Sequence, residues 1–301
     1  MEFSRIGELA ALMTAISWTI TSLSFEYAGK RVGTLPLNLI RITLGFLFIG
    51  LFSLFSRGMF FPLDATPDMW LWLSLSGLLG FVVGDLLLFR AYIEIGARIS
   101  MLIYAGVPPL TALMGRLFLG EVMSPAGFVG MGITLSGIAL VILRKRGGDS
   151  GGGIRFSHPL RGVLLAFGGA LGQAMGLILG KHGAGNYNTF AATQIRCVAG
   201  ILGFAAVILY LRRGDRVAAA LRDGKAMKRI LLGSFFGPFL GVSLSMYAIQ
   251  RTGTGVASTI MAIVPVLIIP FSMFLFKEKV SVREAAGALI AVAGVAFLFL
   301  F

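Results

Sequence analysis

Charge is what this sequence has least of. Asp, Glu, Lys and Arg make up 13% of the chain against 57% hydrophobic residues, where a soluble domain carries about 25% charged residues. The deficit excludes a soluble enzyme, a disordered chain and a large domain outside a membrane. Cysteine is scarce as well. Cys197 stands alone, so no internal disulfide can form. With only two histidines, His158 and His182, no metal or haem cluster and no cofactor are expected. The start, MEFSRIGEL, sets Glu2 and Glu8 around its one basic residue and lacks a basic n-region and cleavage site. The first apolar run is therefore expected to stay as a helix.

What the chain does have is apolar runs, such as 122–143, 162–180, 230–250 and 252–276. Each is near the 20 or so residues that cross a ~30 Å hydrocarbon core as a helix. Reading between charges predicts ten spans at 8–27, 35–56, 69–90, 99–119, 125–143, 161–181, 189–211, 229–250, 255–276 and 283–301. The expected fold is an all-α polytopic membrane protein of ten transmembrane helices. A Gly-rich stretch, RKRGGDSGGGIRFSH, reads as a flexible linker. It divides a first repeat (1–143) from a second (161–301), with 144–160 as cytoplasmic linker.

The net charge of +13 does not mark a nucleic-acid binder, because the basic residues form no face on a folded domain. They sit between spans. The loops after the first, third, fifth, seventh and ninth helices carry 2, 2, 5, 7 and 3 Lys or Arg, against four on the other face. By the positive-inside rule the odd loops are cytoplasmic and both termini face outward. Three arginines, Arg41, Arg116 and Arg196, fall inside spans.

The halves resemble each other. At a displacement of 157, Ala91, Gly96, Pro108 and Glu121 meet Ala248, Gly253, Pro265 and Glu278, and Gly80, Gly84, Gly130 and Gly137 meet glycines. At 155, Thr34, Ile40, Arg41 and Gly45 meet Thr189, Ile195, Arg196 and Gly200. Five helices per copy is odd, so the copies enter the membrane from opposite sides. Such inverted repeats place a substrate site near the midplane between them.

The segments GDLLLFRAYIEIGARISMLIYAGVPPLTALMGRLFLGE and SMYAIQRTGTGVASTIMAIVPVLIIPFSMFLFKEK resemble the EamA-type repeat of the drug/metabolite transporter superfamily. RITLGFLFIG and RCVAGILGFA resemble that family's second-helix arginine segment. The resemblance implies ten helices around a central cavity and export of small metabolites such as amino acids or drugs. It also assigns Glu121 and Glu278 to helix–loop boundaries. Some superfamily members are described with cytoplasmic termini; the loop charges here favour the opposite placement.

Intramembrane charges are costly, about 2.5–3.5 kcal/mol each on insertion scales, so they carry partners or functions. Arg41 and Asp85 lie at matching depths from the cytoplasmic ends of their helices and are expected to pair as a structural or gating latch, with Glu26 as a second possible partner. A direct proton-coupling role for Asp85 is the other reading. Its counterpart in the second repeat is Val242, which leaves Arg196 to Glu8, to a substrate carboxylate or to snorkelling at the outer interface. Thr14, Trp18, Thr21, Tyr104, Gln173, Ser245 and Tyr247 are candidate cavity residues, Trp18 and Gln173 occupying equivalent repeat positions. Met101, Met175 and Met246 would suit a permissive pocket or act as filler. Pro108 and Pro265, beside Pro109 and Pro270, either kink helices four and nine or hinge a gate. Glycines spaced by four at 80 and 84, and at 233, 237 and 241, form faces for close packing or sliding.

The function expected is a secondary transporter or exporter in the cell inner membrane, working by alternating access. A lipid-linked (prenyl-phosphate) carrier or flippase is the alternative. Catalysis is not expected: Gly84-Asp85 lacks the first glycine and second aspartate of intramembrane aspartyl proteases, and no Gly-x-Ser-x-Gly is present. A channel lacks any filter-like segment. The expected partners are a small-molecule substrate and the bilayer, with the protein a monomer or weak homodimer.

Overall fold

The structure, a computed structural model, describes residues 5–119, 124–145, 154–252, 260–277 and 279–300. Glu121, Glu278 and Gly253 lie outside them. Helix α1 (Arg5–Val32) turns at Gly33 into α2 (Thr34–Arg57). Helix α3 (Pro67–Gly77) continues through a π-helical segment (Leu78–Asp85) into α4 (Leu86–Tyr104), and α5 (Val107–Leu119) and α6 (Pro125–Ile142) complete the first half. The second half holds α7 (Leu160–Ala184), α8 (Thr189–Tyr210), α9 (Gly214–Arg222) and α10 (Gly224–Ser234). A second π-helical segment (Phe235–Gly241), α11 (Val242–Thr252), α12 (Val264–Phe276) and α13 (Val282–Leu300) follow.

Among the described residues, six stretches are long and apolar enough to cross a membrane: Ile6–Val32, Thr34–Arg57, Pro67–Tyr104, Pro125–Ile142, Leu160–Ala184 and Thr189–Tyr210. Helix α12 is apolar but shorter. The exterior is apolar where a soluble protein's is polar, and polar side chains lie within an otherwise apolar core. Phe55 is 81%, Leu209 74% and Phe274 84% exposed, whereas Thr14, Asn38 and Gln194 are wholly buried. An apolar exterior of this extent fits lipid as solvent, where helices satisfy their own backbone groups.

The repeat read from sequence appears in the element bounds. The starts of α1 and α2 recur 155 residues on at α7 and α8, and the starts of α5 and α6 recur 157 residues on at α12 and α13. The π-helical segments also coincide at 157. Packing partners exchange in the same way: α7 packs on α3, its π segment and α4, while α1 packs on α10, its π segment and α11. Helices α2 and α8 meet each other, as do α6 and α13.

Glycine sets how closely these helices approach. A Cβ added at Gly172 would sit 2.8 Å from the Gly84 Cα, and one at Gly176 would sit 2.8 Å from the Gly80 Cα. In the other copy the glycines receive side chains: Gly237 faces Thr21 and Gly241 faces Trp18. Close approach through small residues is how helices associate where lipid removes the hydrophobic drive.

Loop ion pairs sort into two faces. Arg31 pairs with Asp223 at 2.9 Å, Arg98 with Glu284 at 3.3 Å and Arg161 with Glu94 at 3.5 Å, all joining odd loops to one another. On the other face Arg57 pairs with Asp64 at 2.6 Å, and the Tyr187 hydroxyl donates to Asp64 at 2.7 Å.

Several expectations need correction. Residues 67–104 form one helical run divided at Gly96 (φ 79°), a left-handed position that favours glycine. The eighth span begins at Gly224 rather than 229, and α9 and both π segments went unread. Pro238 removes a backbone donor inside the second π segment, and no sequence period reports such wide turns. The ends of the expected flexible linker pair as an antiparallel ribbon, β1 (Leu143–Lys145) with β2 (Ile154–Phe156).

Substituting Gly172 by Leu should destabilise the protein by about 1–3 kcal/mol, since backbone cannot yield as a side-chain tip can. Gly132→Leu, which meets nothing within 4 Å, should be near neutral. Thermal unfolding in detergent compares them. A second expectation concerns Asp64, whose carboxyl is held below its ordinary value first by the Tyr187 hydroxyl and further by Arg57. A depressed carboxylate stabilises above its unfolded pKa of about 3.9 and loses that contribution on protonation. The stability gap between wild type and Asp64→Asn should therefore close as pH falls from about 5 towards 3.

Candidate functional site

Buried polar groups inside an apolar shell mark the place to look. Helix α2 presents Asn38 and Arg41 one turn apart, and the π segment ends at Asp85. The Arg41 Nη2 donates to Asp85 Oδ2 in a buried ion pair, and its Nε donates to Asn38 Oδ1 at 3.0 Å. Asn38 in turn donates to the Thr34 carbonyl at 2.9 Å, which fixes the amide. The guanidinium lies 4.6 Å from the Phe89 ring centroid and 5.7 Å from that of Phe25. Phe89 stacks on Tyr92, whose hydroxyl lies 3.4 Å from the Ser22 hydroxyl and 3.1 Å from the Met101 sulfur, with one proton to share between them.

Glu26 is not Arg41's second partner. It is buried, pairs with Lys30 at 2.5 Å, and accepts the Ala97 amide at 2.8 Å. That amide opens the helical stretch after the Gly96 break, so Glu26 caps a backbone donor the break would otherwise leave unpaired inside the bundle.

Arg196 is in a different state. Its guanidinium stands 4.6 Å over the Phe81 ring, and its Nε and Nη2, both buried, have no hydrogen-bond partner among the described residues. Glu8 does not supply one. A Cβ added at Gly80 would lie 3.2 Å from Arg196 Nη2 and 3.5 Å from Gln173 Oε1, so both side chains border the space beside that glycine. Asp85 lies within electrostatic range of Arg196 as well as Arg41, and Tyr104 within range of all three. The two repeat-related arginines thus both act on Asp85 and Tyr104.

The other candidates divide. Trp18 lies against Gly241 and Gln173 against Gly84, equivalent contacts in the two copies. Tyr104 is half-buried between the Phe25–Phe89 cluster and Ala170 and Ala174 of α7. Thr14 and Ser245 spend their hydroxyls on their own helices, on the Ala10 and Val242 carbonyls, while Thr21 reaches both the Ser17 carbonyl at 2.8 Å and the Gly233 carbonyl of α10 at 3.3 Å. Tyr247 is 38% exposed. Met175 is half-buried. Pro108 and Pro265 do not kink continuous helices: each lies in the first turn of a new one, α5 or α12, where a missing N–H costs nothing. Asn38, Phe81 and Phe89 were missed. Of these only Asn38, three residues before Arg41, stood at a spacing that sequence could have flagged.

An apolar-surfaced helical bundle with paired and unpaired ions at its centre defines a multi-pass membrane protein. The EamA-like transporter family matches residues 5–143 and 160–300, one match per repeat, and the chain belongs to that family, within the drug/metabolite transporter superfamily. A search of curated proteins found no match. A solved crystal structure aligns with a TM-score of 0.68 at 18% identity, covering 98% of this chain and 96% of that one, a likeness of fold.

Breaking the central pair should be costly. Arg41→Gln or Asp85→Asn alone leaves one buried charge uncompensated and is expected to cost about 3–5 kcal/mol, while the double substitution recovers much of that loss. Denaturation of the four proteins in one detergent checks it; additive losses would refute the coupling.

Proposed function

We propose that the protein is a secondary transporter of the inner membrane that exports small metabolites by alternating access between two inverted five-helix repeats. The observation that carries this reading is the exchange of packing between copies: each repeat's third-helix segment rides on the other repeat's first helix. A centre built this way is reached from either face by rocking one half against the other. Trp18, Tyr104, Gln173 and Arg196 surround the substrate, with Thr14 and Tyr247 flanking the path. Arg41 and Asp85 act as a gating latch between the second helix and the π segment of the first repeat, and the helix starts at Pro108 and Pro265 supply the joints. Both termini face outward, since the basic loops joined by their own ion pairs form the cytoplasmic face.

Reconstitution into liposomes tests the reading by counterflow of labelled amino acids, nucleobases, organic acids and prenyl phosphates. Saturable exchange of a metabolite is expected, slowed several-fold by Pro108→Ala with Pro265→Ala. Exchange of prenyl phosphates alone would move the protein to the lipid-linked carriers. Accessibility of a C-terminal tag from the outside of cells checks the orientation.

A further inference from the structure

The two repeat-related arginines differ in one respect. Nε and Nη2 lie along the same edge of a guanidinium, the edge that meets a carboxylate side-on with two parallel hydrogen bonds. In the first repeat that edge is filled from within: Asn38 Oδ1 takes Nε and Asp85 Oδ2 takes Nη2. In the second repeat the corresponding residues are Thr193 and Val242. Valine has no acceptor, and Thr193 donates its hydroxyl to the Thr189 carbonyl at 2.8 Å. The same two atoms of Arg196, Nε and Nη2, are buried and have no hydrogen-bond partner among the described residues.

Charge leads to the same place. Arg41, Arg196 and Asp85 together carry one positive charge in excess, and the other carboxylate buried nearby, Glu26, is held by Lys30 and the Ala97 amide. The Phe81 ring covers a face of Arg196 and leaves its edge unpaired. An unpaired charged donor in a low-dielectric interior costs more than a neutral one.

Resting on the transporter reading, we propose that the substrate is a small organic acid whose single carboxylate docks side-on on the Nε–Nη2 edge of Arg196. The carboxylate reproduces in the second repeat what Asn38 and Asp85 provide in the first. One negative charge neutralises the centre, whereas a cation would meet an excess of its own sign. The rest of the ligand is received by Phe81, Tyr104 and Gln173, which offer aromatic faces and one amide.

The test uses purified full-length protein and four probes of one skeleton: 3-phenylpropanoate, 3-phenylpropanol, 3-phenylpropylamine and 2-phenylethylphosphonate. Thermal unfolding reads their binding. The carboxylate should raise the midpoint by several degrees at millimolar concentration, and the alcohol and amine should not. Arg196→Gln should weaken the carboxylate by at least about tenfold. Arg196→Lys, which keeps the charge and loses the fork, should fall between, guarding against a folding artefact. Stabilisation by the amine or alcohol equal to the acid, equal binding by Arg196→Gln, binding of the phosphonate alone, or no binding by any probe would overturn the proposal. Liposome counterflow separates the two claims. Exchange of amines with no carboxylate binding sinks this assignment and spares the transporter, while carboxylate binding without counterflow of any solute does the reverse.

Discussion

Backbone contact between the third-helix segment of one repeat and the first helix of the other decides where the remaining groups can stand. At Gly172 and Gly176 an added Cβ would fall 2.8 Å from the Cα atoms of Gly84 and Gly80, so no other residue fits at these two positions without parting the helices. That approach brings the π segment to the bundle centre with Asp85 at its end. It also places Arg196 beside Gly80, where a side chain on the facing helix would occupy the space of the guanidinium. The charged centre follows from the absence of side chains around it.

Placing ions there demands that each be compensated locally, because lipid and packed helices offer no water. Arg41 is compensated three ways, by a carboxylate, an amide oxygen and two aromatic faces. Glu26 is compensated by a lysine and a backbone amide, which also permits the Gly96 break. Arg196 has an aromatic face and a distant share of the Asp85 field. The first repeat is electrostatically closed upon itself and the second is not, a difference that arises from three side chains at repeat-related positions rather than from the backbone.

Much of this was legible in the sequence. Hydropathy located α1, α2, α6, α7 and α8 to within about five residues because the bilayer fixes their length, and self-matching of Pro, Arg and Gly located the repeat. Matching depths put Arg41 opposite Asp85, which the structure brings together. What hydropathy could not carry was backbone irregularity: the π segments keep an apolar pattern through a change of pitch, and the Gly96 break lies within an unbroken helical run. The sequence leaves Arg196 among Glu8, a substrate carboxylate and the outer interface, because the Phe81 ring that covers its guanidinium comes from another helix that no spacing along the sequence connects to it. Glu26 was misassigned because its partner is a backbone amide, which no sequence pattern displays.

The asymmetry between copies has a mechanical side. Lys181 occupies the repeat position of Glu26, and an ammonium cannot accept an amide proton, so this position cannot repeat the cap that Glu26 provides. The packing differs in the same sense. The α7 contact with the first π segment is glycine on glycine, backbone to backbone, while the α1 contact with the second is Thr21 and Trp18 against glycines, side chain to backbone. Backbone contacts resist displacement because neither partner has a rotamer to change, whereas side-chain contacts adjust by rotation about χ angles. Two repeats of one design thus hold their centre with unequal stiffness. The firmer interface carries Asp85, already paired, and the guanidinium edge that has no acceptor of its own belongs to the helix packed beside it.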